Sequence, residues 1–346
     1  MLKFLRSLIV PTPATPPAQD LAPTPPAQLS APGVDGFNVQ AALIDANGLA
    51  VLDWTAAQAW VASIAEGPAQ AEAWSACETA WLQHLRAALG PDYRLRSQGS
   101  AVLLSTLPDP VAEATLGFVN KPLQRILRTL DGVARVPEWG RDILIVLNDD
   151  ETYYRYVSHY YPEAGEFAAS SGMYIQHGCG HFVTVKADLH AVEPVIAHEL
   201  THACLSHLPI PAWLNEGLAV NTEQRLTPRP GAVQDARLMH ARHLSFWGPE
   251  EIQQFWSGRS FLRNDEGNEL SYDLARILVS QFAADWERFR SFTNAAQLSD
   301  GAAAAAREHL HIDLGAAACA VLAREPDVLW SPRAELWSVA PERGAF

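Results

Sequence analysis

The sequence predicts an α+β fold: a small mixed sheet with an edge hairpin, a helical half that carries the site, and an N-terminal helical layer. Three observations predict it. Trp and Leu recur at helical spacing before residue 90, short apolar runs bounded by Gly, Asn and Asp fill the stretch from about 93 to 186, and two helix-period motifs rich in His and Glu follow. With 346 residues, 48% of them hydrophobic and 18% charged, the chain can bury a large core as one large domain or two small ones. The expected organisation is a Pro-rich flexible tail over 1–36, a helical accessory region over 37–90, and the main domain over 91–346.

In the tail, Met1 to Val10 mixes Lys3 and Arg6 with Leu2, Phe4, Leu5, Leu8 and Ile9. Its uninterrupted apolar part falls short of the 7–15 residues of a signal-peptide core. Residues 11–32 hold eight of the 24 prolines, a composition that favours extended, solvated chain. The expected location is the cytoplasm; export, or membrane tethering through an amphipathic anchor at residues 2–9, is the alternative. No segment reaches the roughly 20 consecutive apolar residues of a transmembrane helix. The net charge of −14 argues against a nucleic-acid surface, which needs clustered Lys and Arg. Cys77, Cys179, Cys204 and Cys319 are far apart with no C-x-x-C, so neither a zinc ribbon nor a disulfide framework is expected.

Each element has its own signal. Trp54, Ala57, Trp60, Val61 and Ile64 form one helical stripe, Trp74, Cys77, Trp81, Leu82 and Leu85 a second, and Gly90-Pro91 ends it. Tyr93 to Thr106, with Val102-Leu103-Leu104-Ser105, reads as strand; Ala112 to Val133 as a long helix; Asp142 to Leu147 as a buried strand. Asn148-Asp149-Asp150 caps a helix through Tyr154 and Val157. Gly172 to His177 and His181 to Lys186, joined by Gly178-Cys179-Gly180, make a hairpin, with His177 and His181 at its tip as a conceivable second metal site. A helix is expected from about Ala191 to His207. Leu208-Pro209-Ile210-Pro211 breaks it, and Pro211 opens the next. Leu270 to Val279 is a further amphipathic helix, and 302–306 with Leu310 to Leu322 a closing pair. Cys204 is expected to pack in the core.

The chemistry lies in His198-Glu199-Leu200-Thr201-His202 and, after thirteen intervening residues, Glu216 in Trp213-Leu214-Asn215-Glu216-Gly217-Leu218-Ala219. Histidines four apart stand on one helix face, so His198 and His202 can address a single zinc ion. Glu199 stands beside the metal as a carboxylate able to take a proton from bound water, whose pKa zinc lowers to about 7. Catalytic zinc usually has three protein ligands, and Glu216 is the candidate third, brought back by the tight corner between the two helices. Glu223, Asn221 and Asp273 are the candidates for holding the ligand imidazoles.

The two motifs together resemble the gluzincin branch of the zinc metallopeptidases. The second is similar to that of the aminopeptidases related to leukotriene hydrolase, although the longer gap between motifs and the G-x-M-E-N loop of those enzymes are missing here. In layout, residues from about Tyr93 to Asn294 resemble the bacterial peptidase MA-like domains. That resemblance implies a thermolysin-like catalytic core with His198, His202 and Glu216 as zinc ligands and Glu199 as general base. It also implies that the hairpin walls the cleft as an edge that pairs with an extended peptide. Leu270-Ser271-Tyr272 resembles the Tyr-led helix of those domains, which makes Tyr272 the candidate donor to the reaction's oxyanion; a tyrosine that packs and bonds to backbone is the other reading.

The expected function is hydrolysis of peptide bonds in a peptide or protein substrate by a zinc metallopeptidase of gluzincin type. Two alternatives stand beside it: a zinc-binding module without proteolytic activity, and a metallohydrolase acting on a non-peptide amide or ester.

Overall fold

The computed structural model describes residues 17–21, 24–136, 140–160, 172–175, 178–186, 192–228 and 236–337. Mixed α+β architecture is present as expected, with a small mixed sheet. The chain divides into two compact units, the first taking in 1–120, 140–162 and 178–181, the second 121–139, 163–177 and 182–346.

In the first unit, β1 (Gln19–Asp20), β6 (Arg94–Gln98), β7 (Ala101–Ser105) and β8 (Asp142–Leu147) run in that spatial order. The β1–β6 and β6–β7 pairs are antiparallel and β7–β8 is parallel. The crossover between the parallel strands contains α3 (Asp109–Thr129), as parallel pairing requires. Where one strand is expected over 93–106 there are two, because Gly99, at φ +61°, turns the chain back on itself. Leu103, Leu104, Leu144 and Ile145 are buried, which is why β7 and β8 read as continuous apolar runs.

Two short pairings involve the stretch expected as a tail: β1 on β6, and β2 (Gln28–Leu29) on β3 (Phe37–Asn38). A hairpin of β4 (Leu43–Ala46) and β5 (Leu49–Leu52) precedes the helices, its turn made by Asn47 and Gly48 at φ +56° and +81°. That is the Asn-Gly signature of a two-residue turn. The two stripes then form α1 (Trp54–Ala62) and α2 (Pro68–Leu89), with Trp54, Ala57, Val61, Cys77, Trp81, Leu82 and Leu85 buried. Pro68 opens α2, and Gly90 lies just past its end. Asp149 Oδ1 accepts from the Thr152 amide at 2.8 Å and caps α4 (Asp150–Tyr160).

Two buried polar groups mark this unit. Glu78, 2% exposed, accepts through Oε1 from Trp74 Nε1 at 2.9 Å, the Arg141 amide at 3.4 Å and Cys179 Sγ at 3.4 Å, and its Oε2 has no partner. Burial pushes its carboxyl up to about 7, against the pull of those three donors. His181 donates from Nδ1 to the Cys179 carbonyl at 2.7 Å and accepts at Nε2 from the Tyr156 hydroxyl at 2.7 Å. Burial holds it down at about 4, so the ring is neutral and both nitrogens are used. His181 therefore ligates nothing, which corrects the second metal site conceived at the hairpin tip. His177, its expected partner, lies outside the described residues.

The second unit holds the neighbouring strands β9 (Gly172–Ile175) and β10 (His181–Val185, counted here from Phe182) and the helical half. β9 is the outermost strand of the sheet and packs against α5 (Val192–Leu205). Next come α6 (Ala212–Leu226), α7 (Ala236–Phe246), α8 (Pro249–Trp256), α9 (Glu266–Phe282) and α10 (Trp286–Ala295). The expected closing pair consists of a short α11 (Ala303–Ala305) running into a π-helical turn at Ala306–Leu310, then α12 (Leu314–Val321). Cys204 is fully buried, as expected, and all four cysteines are buried and outside any disulfide.

The core of this unit is built on Trp213. Its fully buried ring meets Trp256 edge-on at 5.5 Å and lies 6.2–6.4 Å from Phe255, Phe282 and Phe292, while Nε1 donates to the Gly301 carbonyl at 3.1 Å. Burial of such a side chain contributes upward of about 2 kcal/mol and anchors the first turn of α6. Gln253 closes the other side, donating to the Leu329 and Ser331 carbonyls and accepting from the Arg333 amide. Among the described residues no helix is long and apolar enough to cross a membrane.

Candidate metal centre

Two helices supply the site and a third closes on it. Pro211 is the N-cap of α6, as its position in the sequence anticipates, and the corner at 206–211 folds α6 back along α5. One turn further, Gly217 faces α9 so closely that a Cβ there would lie 2.6 Å from Val279 Cγ2 and 2.7 Å from the Ala275 carbonyl oxygen. Asn221 Nδ2 joins the same two helices, donating to the carbonyls of Gly217 at 2.7 Å and Arg276 at 2.9 Å. The residues of Trp213-Leu214-Asn215-Glu216-Gly217-Leu218-Ala219 thus divide their labour. Trp213, Leu214, Leu218 and Ala219 pack, Gly217 admits the neighbouring backbone, and Asn215 and Glu216 turn to the centre.

His198, His202 and Glu216 converge. Glu216 Oε2 lies 3.3 Å from His198 Nε2 and 3.4 Å from His202 Nε2, and the two rings stand 4.8 Å apart at 78°. These three form the one His/Cys/Asp/Glu group among the described residues able to hold a metal ion. The spacing suits a cation: tetrahedral bonds of about 2.0–2.2 Å separate neighbouring donors by roughly 3.3–3.6 Å. Glu216 Oε2 is moreover buried without a hydrogen-bond partner, a cost that ligation removes.

The far side of each ring is occupied. His198 Nδ1 donates to Glu223 Oε2 at 3.2 Å, and His202 Nδ1 donates to Asn215 Oδ1 at 3.0 Å. With a proton fixed on each Nδ1, the lone pairs at Nε2 face the centre, the tautomer that metal ligation needs. Of the three residues the sequence offered for this task, Glu223 performs it. Asn221 holds backbone, and Asp273 is engaged by His243 Nε2 at 2.9 Å and by Arg276. Asn215 is not singled out by the sequence, since neighbours on a helix point about 100° apart and its place before Glu216 does not give it the same face.

The electrostatics call for positive charge. Burial opposes protonation of His198, yet the Glu216 and Glu223 carboxylates outweigh it and push the imidazole up to about 10. Burial likewise works against an ionised Glu216, but the two imidazoles beside it hold the carboxyl down at about 2. A divalent cation meets the same demand with the rings neutral. Glu199, on the first ligand helix, is raised by burial, with the Glu216 and Glu223 charges adding and the imidazoles opposing. That is the direction that makes a carboxylate a better base.

Tyr272 reaches the site from α9. Its ring is 6.4 Å from that of His198 and rests edge-on against Phe261 at 5.2 Å. Burial and the Glu216 and Glu199 charges lift its hydroxyl above the ordinary tyrosine range, so it stays a proton donor. Every site residue expected from the sequence is therefore in one place: His198, His202 and Glu216 in contact, Glu199 and Tyr272 within electrostatic reach of them. Models of known protein families give no match to this chain, and curated proteins give none either.

Proposed function

We propose that the protein is a zinc-dependent peptidase with a thermolysin-like catalytic core, as its resemblance to the gluzincins implies. The observation that carries this reading is the convergence of His198 Nε2, His202 Nε2 and Glu216 Oε2, with both Nδ1 positions already bonded to Asn215 and Glu223. These three residues would hold the zinc ion, which when bound supplies Lewis acidity to polarise a carbonyl and acidify water.

The chain's own residues do the rest. Glu199 takes the proton of the attacking water as its oxygen adds to the peptide carbonyl, then returns it to the departing amine. Tyr272 donates a hydrogen bond to the oxygen that becomes negative in the tetrahedral transition state, where a buried donor is worth most. Asn215 and Glu223 keep the two imidazoles aimed.

The test is metal analysis of the purified protein together with digestion of a peptide library, with and without chelator. Zinc at one ion per chain and chelator-sensitive cleavage that Glu199→Gln abolishes are the expected results. Full cleavage by Glu199→Gln would refute the mechanism. Bound zinc without cleavage of any peptide would favour a metal-binding module, and cleavage confined to non-peptide amides or esters a different hydrolase.

A further inference from the structure

Charge on the site helices is lopsided. Glu199, Glu216 and Glu223 gather at the centre, while α5 carries no Lys or Arg and α6 only Arg225, in its last turn and exposed. The single Lys or Arg of α9 is Arg276. It stands one turn after Tyr272, and side chains four apart on a helix share a face. Its backbone carbonyl accepts from Asn221 of α6, so the backbone at Arg276 lies beside that helix.

The guanidinium is held in a fixed pose. Asp273 Oδ1 accepts from Arg276 Nε at 3.0 Å and from Nη2 at 2.6 Å. The other oxygen, Asp273 Oδ2, accepts from His243 Nε2 at 2.9 Å, and His243 is itself fixed because Trp247 Nε1 donates to its Nδ1 at 2.8 Å. Aspartate is thereby locked from two sides. Arg276 Nη1 has no partner among the described residues, and the side chain remains 31% exposed. An arginine pre-set by a carboxylate and showing a free edge next to a catalytic tyrosine has lost little freedom still to be surrendered on binding, and its planar fork matches a carboxylate.

We propose that Arg276 anchors a carboxylate of the substrate, either the chain terminus or an acidic side chain near the scissile bond, so that the enzyme prefers peptides carrying a negative charge there. The proposal rests on the peptidase reading and names the substrate class of the same site. A cation at that position also offsets the repulsion that a protein of net charge −14 exerts on an anionic peptide.

The test uses full-length, zinc-loaded Glu199→Gln protein, so that binding is read without turnover. Fluorescein-labelled peptides are titrated by anisotropy in two pairs: identical sequences ending in a free carboxylate or a carboxamide, and amidated sequences with Glu or Gln next to the terminus. The carboxylate member of one pair should bind about tenfold tighter, and added Arg276→Gln should erase the difference. The first pair reports terminus recognition, the second side-chain recognition. If Arg276→Gln does not fold, Arg276→Lys keeps the charge without the fork and should cut the preference at least about threefold. Equal affinity within both pairs, a preference that survives loss of Arg276, or no binding of any peptide overturns the proposal. Preferential binding that Arg276→Gln erases, without cleavage by the wild-type protein, would overturn the peptidase reading and keep only the carboxylate-binding role of Arg276.

Discussion

His202 Nδ1 donates to Asn215 Oδ1 at 3.0 Å, so the residue immediately before Glu216 orients the His202 ring. Asn215→Ala should weaken zinc binding about 10- to 100-fold with the fold intact, as measured by competition with a chelator of known affinity. Asn215→Asp keeps an acceptor and should lose much less.

Tyr272→Phe removes the hydroxyl and keeps the edge-on contact with Phe261. If the phenol stabilises only the transition state, kcat should fall about 10²- to 10³-fold while KM stays within about twofold. Stability in urea should change by less than about 1 kcal/mol, since the ring still packs. A variant of undiminished kcat would return Tyr272 to a packing role.

Gly217→Ala places a methyl group against Val279 and the Ala275 carbonyl, and one of those contacts is backbone that cannot swing aside. The expected loss is about 1–3 kcal/mol in chemical unfolding. Zinc affinity should fall with it, because Glu216 rides on the helix that must shift.

Glu78 carries a pH dependence whose sign follows from its raised pKa. Folded, it binds a proton up to about pH 7; unfolded, it releases it near 4.5. Between those values the native state holds more protons, so stability is complete below about 4.5 and falls as pH rises through 7, by about 3 kcal/mol in all. Glu78→Gln should flatten this limb, giving a variant more stable than wild type at pH 8 in urea titrations. An unchanged pH profile would show that Glu78 does not control it.

Much of this was legible from residue order because the decisive signals are local. Histidines at 198 and 202 share a face by helix geometry alone, Pro211 marks where the next helix begins, and the run 142–147 is short enough for the buried strand that it forms. The buried, satisfied state of His181 was not legible, since its partners Tyr156 and the Cys179 carbonyl meet it only in three dimensions. The same holds for Asp273, which sits next to Tyr272 in sequence but faces His243 from thirty residues upstream. Two turns carried readable signs that went unused: Asn47-Gly48 between two apolar stretches and Gly99-Ser100 inside what read as one strand. Asn215 was missed because asparagine beside a ligand has many roles, and only the 3.0 Å contact selects one.

At Gly217 the backbone of α6 lies directly against α9, and the Asn221 amide joins the two helices. On the proposed reading, the carboxylate that would grip the cation and the phenol that would face the reacting carbonyl are set in place when the chain folds, before any peptide arrives. Solvent dipoles have to reorient around charge as it develops, whereas groups fixed in a protein interior would already be in position. If the protein is the peptidase proposed, widening the gap between these helices should lower turnover for every peptide alike, and peptide preference is set by the residues around the pair.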